Sequence, residues 1–190
     1  MTVLETDRLI LRPFQPGDAP QMAELAADID VAAGTASLPH PYALADAEQF
    51  IARLQPPNSA DTDHVFALVL QSDDRWIGVI GLHEARDYRR AEMGYWLGKP
   101  YWNQGYASEA ARRLVRYGFE VLDLNRIYAS CYAPNVGSAR VLQKAGMAYE
   151  GTLRQHYIRF GVVHDAHVYG ILRADWEAAG RANNKSRNVG

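Results

Sequence analysis

The stretch Glu92-Met-Gly-Tyr-Trp-Leu-Gly-Lys-Pro-Tyr-Trp-Asn-Gln-Gly-Tyr-Ala-Ser-Glu-Ala110 holds the residues best suited to chemistry. A strand pattern ends near Leu97, a short loop follows, and a helical pattern begins near Gly105. The first turn of a helix has N–H groups with no partner inside the helix, and the aligned peptide dipoles add partial positive charge there. Gly105 and the small Ala107 let a ligand approach that backbone closely. The turn Trp102–Ala107 is therefore a candidate anion site, suited to a pyrophosphate. The competing reading is a glycine needed only for a tight turn, with Ser108 or Asn103 as a plain helix cap. The chain has neither a Walker loop ending in Lys-Ser/Thr nor a dinucleotide fingerprint, which argues against ATP and NAD.

Other reactive residues offer less. Cys131 is the single cysteine, so no intrachain disulfide forms, and its place in the alternating run Ile127–Ala133 is that of a buried structural thiol. His64, His83, His156, His164 and His167 lack cysteine partners and any His-Glu-x-x-His spacing, so no metal is expected.

The elements that must position this turn come from one ordinary domain. The chain has 190 residues, 48% hydrophobic and 22% charged, enough to bury a core and too apolar for disorder. A net charge of −2 gives no basic field for nucleic acid or anionic membrane. The first twelve residues carry Glu5, Asp7, Arg8 and Arg12 and do not read as a signal peptide. No apolar run approaches the ~20 residues that span a bilayer. A cytoplasmic protein is expected.

Hydrophobic periodicity predicts strands at Arg8–Phe14, Val65–Leu70, Trp76–His83, Glu92–Leu97 and Ile127–Ala133, with extended segments at Ala148–Arg154 and His164–Leu172. Helices are predicted from Asp18, as N-cap, to about Ala27, at Ala43–Leu54, at Gly105–Leu122, and at Ser138–Ala145 stopped by Gly146. Leu54–Asp63, with Pro56 and Pro57, reads as a surface loop. Residues 1–180 form the domain, and the polar tail Arg181–Gly190 is expected to fray. Strands and helices neither alternate strictly nor segregate, which predicts an α/β (α+β) domain with a mixed, mostly antiparallel sheet flanked by helices.

The segment Glu92–Ala110 resembles the acyl-CoA-binding motif of the GNAT superfamily of N-acetyltransferases, in particular the branch that acetylates the N-terminal alanine or serine of ribosomal proteins. Gly105 and Ala107 match the end of that motif, while Trp102 stands where the superfamily has arginine or glutamine, a departure the branch shares. Thr6–Phe14, Ile77–Leu82, Asn135–Met147, and Glu150–Arg154 with Gly161, Asp165 and Tyr169–Trp176 resemble the branch's other segments in order. The resemblance implies acetyl-CoA as cosubstrate and direct attack by a primary amine, of a protein N-terminus or a small molecule. It leaves monomer and homodimer both open. It also implies cofactor contacts from Leu97, Trp102, Asn103, Gln104, Gly105, Tyr106, Ala107, Ser108, Asn135 and Ser138.

Acetyl transfer needs a neutral amine, help for the carbonyl oxyanion, and a proton for the leaving sulfur. Glu92 is the candidate base, with Glu84, Asp87 and Glu150 as rivals. Ser138 is the candidate acid, because the superfamily's tyrosine position is Leu142 here; a plain helix cap is the competing role for Ser138. A backbone N–H near Leu97 is expected to meet the oxyanion, where the family splays its strands. Arg140 and Lys144, one helical turn apart, either meet the CoA 3′-phosphate or form a solvated face. Tyr88, Tyr95, Trp96, Tyr101 and Trp102 are divided between the acceptor pocket and the core. Acetylation of a polyamine or side-chain amine, and a non-catalytic acyl-CoA-binding module, remain as alternatives.

Overall fold

The structure is a computed structural model; it describes residues 2–55 and 62–187, with side chains as far as Arg181. In chain order the elements are β1 (Leu4–Glu5), β2 (Leu9–Arg12), α1 (Ala19–Ala26), α2 (Ile29–Ala33), α3 (Leu44–Arg53), β3 (Asp63–Leu70), β4 (Trp76–Ala85) and β5 (Arg90–Leu97). They continue with α4 (Tyr106–Glu120), β6 (Arg126–Tyr132), α5 (Val136–Lys144), β7 (Ala148–Arg159), β8 (Val162–Leu172) and α6 (Arg173–Arg187).

The strands form one eight-stranded sheet in the order β1-β2-β3-β4-β5-β6-β8-β7. Every neighbouring pair is antiparallel except β5 and β6, which are parallel. A mixed, mostly antiparallel sheet flanked by helices is thus the fold.

Alternation along the strands builds a core on each face. Phe66, Leu68 and Leu70 of β3 join Ala110, Ala111, Leu114 and Phe119 of α4 in the larger cluster. Ala67 and Val69 point the other way, to Met22 and Ala26 of α1 and Ala47 and Ile51 of α3. The apolar stripe of α4 fixes the roll of that helix, because Ala110, Ala111 and Leu114 are wholly inaccessible. Truncating Leu114 to alanine would cost about 2–5 kcal/mol by the usual core arithmetic, so the helix start near Gly105 is firmly placed.

The structure redraws several boundaries. Strand β2 ends at Arg12 rather than Phe14, because Pro13 has no N–H to give a sheet partner. Asp18 does precede α1, but its carboxylate does not cap it. It instead takes two bonds from Arg12, at 2.7 and 2.8 Å, and one from the Gln15 amide.

Ser138 is not the cap of α5 either. That helix starts at Val136, and the side-chain Oδ1 of Asn135 accepts the Ser138 N–H at 3.0 Å, which makes Asn135 the cap.

The last two strands are longer than their apolar pattern. They meet in a tight turn at Phe160 and Gly161, both at positive φ, as a two-residue hairpin with matching twist requires. Helix α6, which the periodicity does not predict, runs over Arg173–Arg187 and is anchored by Trp176 against Phe119 at 5.4 Å between ring centroids. Of the loop expected over Leu54–Asp63, residues 56–61 lie outside the described ones, as do 188–190 of the tail. No helix among the described residues is long and apolar enough to cross a membrane.

Candidate active site

Strands β5 and β6 pair only over Arg90–Glu92 and Arg126–Tyr128. Beyond Glu92 they part, and the opening is the floor of a cleft of about 560 Å³. Residues of the α4 and α5 starts and of α2 line it.

The α4 side is a cradle of backbone. Gly105 precedes the helix at φ 86° and Asn103 stands at φ 60°, a left-handed geometry that glycine adopts freely and asparagine more readily than most. The first bond closing the helix runs from the Glu109 N–H to the Gly105 carbonyl at 3.0 Å. The N–H groups of Tyr106, Ala107 and Ser108 precede it, have no partner within the helix, and line the cleft. An anion fits there, close to backbone that carries no bulky side chain at 105 or 107.

The first strand braces this turn. Arg8 donates to the Gln104 carbonyl at 3.1 Å, lies 4.5 Å over the Tyr106 ring, and bonds Glu109 at 2.7 Å. Glu109 also takes bonds from the Thr6 hydroxyl at 2.6 Å and the Arg8 amide at 2.9 Å. Burial pushes the Glu109 carboxyl up, but the bonds from Thr6 and Arg8 outweigh it and hold it below the ordinary value.

Of the ten cofactor residues expected, Leu97, Trp102, Asn103, Gly105, Tyr106, Ala107, Ser108, Asn135 and Ser138 all line the cleft. Gln104 does not: its side chain turns back to the Pro100 carbonyl at 2.7 Å. Trp102 is tied down by its indole N–H, which donates to the Leu97 carbonyl at 2.8 Å. Arg140 and Lys144 both reach the cleft from α5.

The Ser138 hydroxyl lies 2.7 Å from the Tyr95 hydroxyl. Burial raises the Tyr95 pKa strongly, while the bond with Ser138 works against it. The phenol therefore stays protonated across the physiological range. Leu142, where the superfamily's tyrosine would stand, is wholly buried. Tyr95 thus brings a phenol to the cleft from β5 that α5 does not carry, a role its place among aromatics divided between pocket and core does not reveal.

Cys131 is buried beside this pair, and burial raises its pKa although a bond with Ser138 opposes the rise. A protonated buried thiol is a poor nucleophile.

Glu92 does not line the cleft. It sits half-buried, across from Tyr128 of β6 where the two strands still pair. The Ser130 hydroxyl points to it at 3.5 Å and shares a 2.7 Å bond with the Tyr157 hydroxyl. Burial, and then the negative charge of Glu92, raise the Tyr128 pKa.

Two of its rivals are tied to cationic or ionisable side chains. Glu84 meets His64 and Arg86, each at 3.3 Å. Glu150 takes a two-pronged bond from Arg126, which holds its carboxyl low. Among the described residues no cation pairs with Glu92.

Parted parallel strands beneath a helix start with free amides match what the sequence resembles. The family profile described as "Acetyltransferase (GNAT) domain" covers residues 8–148. The chain belongs to the GNAT family. It is similar to the N-acetyltransferase YoaA of Bacillus subtilis (strain 168), itself uncharacterized, at 35% identity over 90% of this chain and 97% of that one.

Among solved structures it resembles the ribosomal-protein-S5-alanine acetyltransferase from Vibrio fischeri, with a TM-score of 0.80 at 20% identity, covering 93% and 99% of the two chains. It also resembles the microcin C7 self-immunity acetyltransferase MccE, solved with acetyl-CoA and AMP. There the TM-score is 0.79 at 21% identity, over 88% and 93% of the chains. Membership makes this GNAT chain an acetyltransferase rather than a non-catalytic binding module.

Proposed function

We propose that this enzyme takes acetyl-CoA as donor and transfers its acetyl group directly to a primary amine, the N-terminus of a protein or a small molecule. One observation carries the reading. The unbonded amides of Tyr106, Ala107 and Ser108 share a cleft with Leu97, Asn135 and the Ser138–Tyr95 pair, where β5 and β6 part. The amides suit the pyrophosphate of CoA, and Arg140 and Lys144 suit its 3′-phosphate. MccE, of the same fold, is known with acetyl-CoA, which supports the choice of donor.

CoA delivers an acetyl group activated as a thioester. The chain's residues supply the remainder. Glu92 accepts a proton from the arriving ammonium, directly or through water, so that the amine attacks neutral. An N–H near Leu97, in the unpaired part of β5, stabilises charge on the carbonyl oxygen. As the C–S bond breaks, Ser138, backed by the protonated Tyr95, gives a proton to the departing sulfur and regains one from the second proton that the nitrogen sheds on becoming an amide. Cys131 takes no part.

A thiol-release assay with acetyl-CoA tests this over peptides with free N-termini, amino acids and polyamines. Amine-dependent thiol release with mass gain on the acceptor is expected. Donor binding without turnover on any amine would overturn it.

A further inference from the structure

Helix α2 and the turn after it form a strap along one wall of the cleft, to which they bring Asp30, Val31, Gly34 and Thr35. Gly34 comes so near the start of α5 that a Cβ added to it would stand 3.9 Å from the side-chain nitrogen of Asn135. Asn135 caps the helix that carries Ser138, so this wall adjoins the end of the cleft where the proton donor sits. With five residues, α2 is too short to hold itself in place. Val31 and Ala32 root it in the second core, but none of residues 33–37 is buried.

That turn is fastened from the far end of the sheet. Arg159, the last residue of β7, donates from Nε and Nη2 to the Ala32 carbonyl at 3.2 and 2.9 Å, and from Nη2 to the Leu38 carbonyl. One guanidinium thus ties together the two residues between which the turn runs. Tyr132 donates to the Thr35 carbonyl at 2.9 Å, and Phe160 of the hairpin turn meets His40 edge-on at 6.1 Å. Thr35 also donates to the Ala32 carbonyl, from its N–H at 3.3 Å and its hydroxyl at 3.1 Å, which shapes the turn without anchoring it.

At the start of the strap, Lys99 meets Asp30 at 2.5 Å and Asp28 at 3.9 Å. These side chains are 34 to 55% exposed, and exposed pairs contribute little. Arg159 is half-buried, and its flat fork reaches two acceptors at once. Bonds from a charged donor are also stronger than neutral ones. The arginine is the stronger fastening.

We infer that Arg159 is a positioning residue for the reaction: it keeps the strap shut beside the thioester, so that water stays out and the acetyl group is held for attack. This rests on the acetyl-transfer reading above. The bonds of Arg159 go to the strap and not to the α4 cradle, so affinity for the donor should be spared.

Arg159→Ala and Tyr132→Phe each remove one fastening, and neither side chain lines the cleft. Hydrogen exchange read by mass spectrometry tests the strap without any reaction. Amides 33–38 should exchange about tenfold faster in Arg159→Ala, and those of α4 at the wild-type rate. With acetyl-CoA and the amine used best, kcat should fall about tenfold while acetyl-CoA affinity stays within about twofold. Thiol released per acetylated product should rise above the wild-type ratio as water competes for the thioester. Millimolar guanidinium should restore much of the lost kcat, which a merely weakened fold would not allow. Tyr132→Phe should move the same quantities the same way by a smaller factor, and it decides the matter should Arg159→Ala not fold. Unchanged exchange at 33–38 would overturn the inference, as would an unchanged kcat and thiol-to-product ratio. So would a loss that guanidinium does not restore, or donor affinity that falls as far as kcat. Absence of turnover by wild type on every amine would remove the acetyl-transfer reading and this role with it. Exchange would still report whether Arg159 holds the strap, so the two failures are told apart.

Discussion

Tyr95 and Ser138 share one short hydrogen bond, and the member facing the sulfur decides how the thiol leaves. Ser138 stands at the start of α5, open to the cleft, while Tyr95 sits behind it in a buried setting that keeps its phenol protonated. Ser138→Ala should therefore lower kcat by about 10- to 100-fold, as loss of a general acid does. Tyr95→Phe, which removes only the backing bond, should cost less. Acetyl-CoA affinity by calorimetry should change little in either. A collapse of affinity with unchanged kcat would make the pair a cofactor contact instead.

Glu92→Gln should lower kcat/KM by about 100-fold at neutral pH. The loss should shrink as pH rises past the amine's pKa, near ~8 for an N-terminus, because the acceptor is then already neutral. A deficit that is flat with pH would leave Glu92 a binding residue only.

At this scale the sequence told which residue types were present and not what faced them. Alternation put Tyr95 on a strand face, but its partner comes from another element 43 positions on. The cap role of Asn135 was missed for a local reason: an asparagine and a serine three residues apart each fit a helix start.

Elements were easier to read where the apolar pattern is strong. Helix α4 has apolar residues at helical spacing, β3 and β4 are apolar runs buried on both faces, and β5 and β6 alternate more nearly, so all five were placed to within two residues. The missed elements lack that signal. Strand β1 has two residues and α2 five, too short for a period to show. Strand β7 was read only as far as Arg154, because it is an exposed edge whose register is irregular over Arg154, Gln155 and His156. Helix α6 is polar along most of its length and depends on Trp176 reaching Phe119, a tertiary contact.

The cradle at the α4 start was readable because it needs only a strand end, a glycine and a helix start. Gly105→Val should weaken acetyl-CoA binding at least tenfold, about 1.4 kcal/mol. The valine would stand at φ 86°, strained for a branched residue, and would crowd the amides that meet the phosphates. Calorimetry on the folded variant checks this. Unchanged affinity would move the phosphates away from α4.

Across the whole molecule, the cradle depends on a contact that spans about a hundred residues. Thr6 and Arg8, around β2, converge on Glu109 in the first turns of α4, and Arg8 also holds the Gln104 carbonyl and the Tyr106 ring. One carboxylate thus locks the N-terminal strands to the helix that frames the proposed donor site. Its folded pKa lies below the ordinary value near 4.5, the bonds and charge of Thr6 and Arg8 outweighing burial. For a carboxyl shifted in that direction, the stabilisation is fully present above the unfolded pKa and is lost as pH falls through the folded one. Glu109→Gln should therefore melt below wild type at pH 6 to 7, and the two melting temperatures should converge as pH is taken below about 4. At neutral pH the variant should also bind acetyl-CoA more weakly, since Arg8 loses the partner that orients it against the cradle. A melting difference that is constant from pH 7 to pH 3 would show that the charge of Glu109 is not what holds the strands to α4. Equal donor affinity in both proteins would show that the cradle keeps its shape without them.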